Sequence, residues 1–101
     1  MSWRYSVLHA AECAAVLGQY ECVGRLLAAE TPREAWEAAR LTEIASGAVV
    51  DAVTAMRAQR SATRDMRLLA EAADLVRRAA FSARIDCLVA EADTFATKGS
   101  S

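Results

Sequence analysis

The only histidine, His9, stands one helical turn before Cys13, with Glu12 beside it. On a helix, that spacing puts an imidazole within reach of a thiol, giving a nucleophile with its base or half of a metal site. The set stops there. A metal needs three or four converging ligands; Cys22 projects away from the His9 face and Cys87 is remote in sequence. No C-x-x-C pair occurs among Cys13, Cys22 and Cys87, which excludes a zinc ribbon or finger. A histidine on an apolar stripe beside a core cysteine accounts for the pair. The carboxylates Asp74, Asp86, Glu91 and Asp93 lack the E-x-x-H spacing of a diiron bundle, and no phosphate loop, G-x-S-x-G elbow or dinucleotide fingerprint occurs. The expectation is a protein with no catalytic residue, metal or cofactor.

Arg57, Arg60, Arg64 and Arg67 recur at intervals of 3, 4 and 3. On one continuous helix they would form a basic ridge suited to phosphate, nucleic acid or an acidic protein surface. On a solvated face they would pair with Asp65, Glu71 and Asp74. No aromatic residues interleave with them, so a base-stacking platform is not indicated. An acidic protein surface ranks above nucleic acid.

Phe81, Ile85, Leu88, Ala92 and Phe95 follow one another at 4, 3, 4 and 3. They form an apolar stripe more than roughly 90° round the helix from a second stripe of Leu69, Ala72, Val76, Ala79, Ala83 and Cys87. A helix with two apolar faces cannot bury both in a small bundle. Either it breaks near Ala80–Ser82 to give a short fourth helix, or the Phe81–Phe95 stripe meets a partner or a second copy. Trp36 is a further contact candidate. It lies near 180° from the Ala45/Ala52 side of its helix, so it is exposed or buried by another contact.

These residues must be carried by helices. Alanine supplies 24 of 101 residues, and between Pro32 and Gly99 the only Gly or Pro is Gly47. Alanine has the highest helix propensity, and β-proteins need turn punctuation that is absent here. Apolar residues at 54% and charged residues at 25% describe a chain that folds. A net charge of −1 gives no global basic field for nucleic acid or anionic membrane. No uncharged apolar run approaches the ~20 residues of a membrane span, and His9 and Glu12 interrupt any signal-peptide core. An odd number of cysteines fits a reducing compartment, so a cytoplasmic location is expected.

The predicted architecture is an all-α antiparallel bundle of three long helices, with a possible short fourth at the C-terminal end. It forms a single domain over residues 1–97, followed by a flexible tail at 98–101. The first helix is expected from Trp3 to Ala29, with Tyr5, His9, Cys13, Val16, Tyr20, Val23 and Leu27 inward. Gly18 and Gly24 either weaken it or admit a close neighbour. Thr31-Pro32-Arg33-Glu34 is a capping box, so one helix ends near Glu30 and the next starts at once. That second helix runs to about Arg60 with an inward seam of Ala38, Leu41, Ala45, Ala48, Ala52, Ala55 and Met56. Ser61 and Thr63 place the next turn, with a helix from Arg64; the rival is one continuous helix across 60–65.

The stretch from Leu26 to Glu37, LLAAETPREAWE, resembles a segment of the phasins, in which an alanine-rich helix is followed by a Ser/Thr-Pro-x-Glu helix start. It departs from them at Arg40 to Ile44, where the glutamine and aromatic residues of the second phasin helix are missing. The resemblance implies non-enzymatic adsorption to hydrophobic polymer granules and self-association. A fainter similarity, in length and alanine-rich hairpin, is to small helical chaperones of bacterial secretion systems; a mobile-element-encoded inhibitor of a protein complex has the same outline. The leading expectation is a helical protein-interaction or assembly module that binds a protein partner or itself through an apolar helix face.

Overall fold

The computed structural model describes residues 2–99, and within them the chain forms four helices and no strand: α1 (Trp3–Leu17), α2 (Tyr20–Ala28), α3 (Pro32–Ala58) and α4 (Arg64–Gly99). The class is the expected all-α bundle. The additional helix arises at the N-terminal end, not the C-terminal one. Met1, Ser100 and Ser101 lie outside the described residues, and with them the end of the expected tail.

α1 starts at Ser2, whose Oγ accepts the Arg4 N–H at 3.3 Å. It stops at Gly18, which takes a left-handed φ of +84°. The Gly18 N–H donates to the Ala15 carbonyl and the Gln19 N–H to the Ala14 carbonyl, both at 3.0 Å, closing a Schellman ending. The single helix expected from Trp3 to Ala29 is therefore two. Gly24 has an ordinary helical conformation with no neighbour near its Cβ position, so it neither breaks the helix nor admits one.

The break changes which face is inward. α1 buries Val7, Ala10, Ala11 and Ala14, and α2 buries Leu26. Tyr5, Val16, Tyr20 and Leu27, expected inside, are exposed, and so is His9. The turn at Gly18 puts α2 out of phase with α1, so no single stripe can serve both. A stripe of alanines also lets α1 lie closer to its neighbour than tyrosine and valine would.

α3 opens on the expected cap. Thr31 Oγ1 accepts the Glu34 N–H at 3.2 Å, with Pro32 in the first turn. The Glu34 carboxylate accepts the Glu30 N–H at 3.0 Å, one residue before the Thr31 N–H that a capping box engages. The seam of α3 is Ala35, Ala38, Ala39, Thr42, Ser46 and Val53. Of the seven predicted seam residues only Ala38 is buried; Ala45 and Met56 are half-buried, and Leu41, Ala48, Ala52 and Ala55 face solvent. The reason is hydroxyl chemistry. Thr42 Oγ1 donates to the Ala38 carbonyl at 2.8 Å and Ser46 Oγ to the Thr42 carbonyl at 2.7 Å. Both side chains are satisfied within their own helix and can be buried as small groups.

α3 ends as α1 does, with an arginine in the glycine position. Arg60 has φ +59°; its N–H donates to the Arg57 carbonyl at 3.0 Å and the Ser61 N–H to the Met56 carbonyl at 2.8 Å. Thr63 then caps α4 by accepting the Met66 N–H at 3.2 Å. α4 runs 36 residues without a break, so the helix interruption considered near Ala80–Ser82 does not occur. Nothing at 79–83 terminates a helix, and Ala79, Ala80 and Ala83 pack inward without interrupting it.

α3 and α4 form a long antiparallel hairpin; α1 lies against α4, and α2 folds back between α1 and α3. The Ser6 hydroxyl donates to the Asp86 carboxylate, and Arg4 donates to the Glu30 carbonyl at 3.1 Å, fixing the start of α1 at the open end of the hairpin. The main core joins Val7, Ala10, Ala11, Leu26, Ala35, Ala39, Ala83 and Cys87 with several further alanines. Between Gly47 and Asp74 only Val53 and Ala73 are buried. The closed end of the hairpin is thus a two-helix arm projecting from a four-helix base, in a molecule 60 × 22 × 19 Å.

Candidate functional site

The outer face of α4 carries the predicted stripe. Phe81, Ile85, Leu88 and Phe95 are 47%, 40%, 51% and 69% exposed, and Val89 beside them is 54% exposed. The opposite face of the same helix buries Val76, Ala80, Ala83 and Cys87. Because α4 is continuous, the two faces are held rigidly apart, with one in the core and one in solvent.

A polar border separates this ridge from α3. Arg84 Nε bonds Glu43 Oε2 at 2.8 Å in a half-buried pair, and its guanidinium lies over the Phe81 ring at 5.2 Å. Nearer the C-terminal end, Arg33 reaches Glu91 at 3.5 Å. There the ridge opens into an apolar dimple of about 230 Å³ between Pro32 at the start of α3 and Thr94 and Phe95 of α4.

The four candidate arginines sit at the far end of the molecule, on the tip of the arm. They do not form the one-helix ridge considered from their spacing, because the turn at Gln59–Thr63 divides them. Arg57 ends α3, Arg60 is in the turn, and Arg64 and Arg67 begin α4. Arg57, Arg64 and Arg67 line an open groove of about 470 Å³ between the two helices. The solvated-face pairing with Asp74 is made by Arg77 and, at 2.8 Å, by Arg78 further along α4 and not by these four.

Trp36 is half-buried against the main core, with Arg40 over its ring at 5.8 Å. Its indole Nε1 is buried without a hydrogen-bond partner among the described residues.

His9 is exposed on α1 and Cys13, one turn on, is half-buried against the main core, with Nε2 and Sγ 3.9 Å apart. Burial, and then the Glu12 carboxylate, raise the Cys13 thiol above its ordinary range. That direction disfavours the thiolate a nucleophile requires. Cys87 is fully buried, and burial, reinforced by Asp86, pushes its thiol up to about 11. Among the described residues no group of three or more His, Cys, Asp or Glu could hold a metal ion, and no helix is long and apolar enough to cross a membrane.

The sequence reading missed the outward surface of α1 and α2, where Tyr5, Leu8, Val16, Tyr20 and Leu27 are all exposed. The signal that could have shown it was the small-residue stripe of Val7, Ala10, Ala11 and Ala14, ended by Gly18.

Fold and surface together define a small helical bundle with an uncovered apolar face on α4, further exposed apolar residues on α1 and α2, and an arginine-tipped arm. No family model, curated protein or solved structure matches the chain.

Proposed function

We propose that this chain is a non-enzymatic interaction and assembly module that works through the apolar face of α4, with a second copy of itself or another protein as the occupant. The observation that carries the reading is the exposure of Phe81, Ile85, Leu88 and Phe95 along an unbroken helix whose other face is already buried. Their 4, 3, 4, 3 spacing, counting Ala92, is the seam that one helix presents to another in a two-stranded coil. Fully burying one such side chain is worth about 1.5–3 kcal/mol and each is already roughly half covered, so association would gain about half of that from each, which offsets part of its cost. The core inside the chain is mostly alanine, which buries little area per residue, so stability gained across this face is significant to the fold.

Self-association is tested first, by sedimentation of the wild type and of Phe81→Glu and Leu88→Glu. The expected result is a wild-type oligomer and two folded monomers. Variants that keep both their helicity and the wild-type mass refute self-association through this face.

A second reading, adsorption to a hydrophobic granule as the phasin resemblance implies, is favoured by the exposed apolar residues on α1 and α2 as well as α4. It requires the protein to partition onto polyhydroxyalkanoate particles, and a protein left wholly in the supernatant removes it.

A further inference from the structure

We propose a second binding site at the tip of the arm, a groove that takes an acidic, amphipathic peptide segment of a partner protein. Away from the tip every arginine is engaged. Arg4 bonds the Glu30 carbonyl, Arg25 bonds Glu21, Arg33 meets Glu37 and Glu91, and Arg40 covers Trp36. Arg77 and Arg78 hold Asp74, and Arg84 holds Glu43. At the tip, no ion pair or side-chain hydrogen bond is made by Arg57, Arg60, Arg64 or Arg67 within the described chain, although Asp65 and Glu71 are close in sequence. Four uncompensated guanidinium groups are concentrated in one place on a chain whose net charge is −1.

The groove beside them is not purely polar. Arg57, Arg64 and Arg67 line it together with Val50, Val53 and Leu68. Its chemistry therefore suits carboxylates next to apolar side chains, because guanidinium forks pair with carboxylates bidentately while the aliphatic wall takes a leucine-sized group. Nucleic acid is the poorer match. The lining holds no aromatic residue on which a base would stack, and a continuous phosphate chain offers no apolar group to the wall of Val50, Val53 and Leu68.

The probe is a fluorescein-labelled helical peptide with glutamate on one face and leucine on the other, titrated against the full chain by fluorescence anisotropy. Saturable binding is expected, and combining Arg57→Gln, Arg64→Gln and Arg67→Gln should weaken it about tenfold or more. These positions are exposed and glutamine is a comparable helix former, so the variant keeps its fold, which circular dichroism verifies. Arg25→Gln, which removes an arginine elsewhere, and Phe81→Glu, on the α4 ridge, should bind the peptide as the wild type does. The proposal is overturned if the wild type does not bind, if the triple variant binds equally well, or if a single-stranded oligonucleotide of equal charge binds more tightly than the peptide.

Discussion

Gly18 and Arg60 occupy the same kind of position, the left-handed residue closing a helix, and they predict opposite responses to mutation. A Cβ at Gly18 would meet no atom within 4 Å, so Gly18→Ala carries backbone strain alone. It should lower stability by about 1 kcal/mol. Arg60→Gly should raise it by a similar amount, because it relieves that strain in an exposed turn. Thermal melts of the two variants give the comparison, and shifts of the same sign would contradict it. Cys87 predicts a pH effect. Its folded thiol holds its proton to about 11, whereas an unfolded thiol releases it earlier. The unfolded state therefore binds fewer protons as pH rises through the ordinary thiol range toward 11, and stability must fall across that window. Below it the thiol is protonated in both states and contributes nothing. Denaturant melts of the wild type and Cys87→Ala across this range should show the extra loss in the wild type only.

α2 is the element with least to hold it. It has nine residues, its Gln19 makes no side-chain cap, and it buries one side chain, Leu26. A helix this short is not stable by propensity and depends on tertiary packing. Leu26 is also the largest fully buried side chain in the molecule. Leu26→Ala should cost about 2–5 kcal/mol and detach α2 from α1 and α3. Limited proteolysis within 19–30, absent in the wild type, is the expected sign; a variant as resistant as the parent would show that α2 is held by something else. α4 is the opposite case. It spans the length of the molecule and belongs to both surfaces, with the apolar ridge on the base and Arg64 and Arg67 at the arm tip.

The whole molecule is a four-helix base with a two-helix arm, and burial is confined largely to the base. Local stability follows buried contact, so opening should begin at the arm. Amide exchange across 50–70 is expected to be faster than across 7–14 and 79–87, and equal protection in both regions would contradict this division. The separation also means that the two proposed surfaces lie at different ends. The α4 ridge belongs to the rigid part and the arginine groove to the more mobile part. A partner at the tip would order the arm, and a second copy on the ridge would leave it free.

Much of this was legible in the sequence, and the limits have physical causes. Helix content, the cap at Thr31, the turn before Arg64 and the two apolar faces of α4 follow from local rules, because propensity, capping and periodicity act over a few residues. Which faces turn inward did not follow. Alanine is compatible with core and with surface, so a stripe of it carries no sign of its own, and α1 and α3 could be rotated without violating any local preference. The break at Gly18 set the rotation of α1, and the self-satisfied hydroxyls of Thr42 and Ser46 permitted that of α3. Gathering Arg57, Arg64 and Arg67 around one groove required a turn that places Arg60 in a left-handed conformation. Leaving Phe81, Ile85, Leu88 and Phe95 outside required a neighbour, α1, too short and too committed to the alanine face to cover them. Local sequence determined the helices; the packing of four helices of unequal length decided what remained exposed.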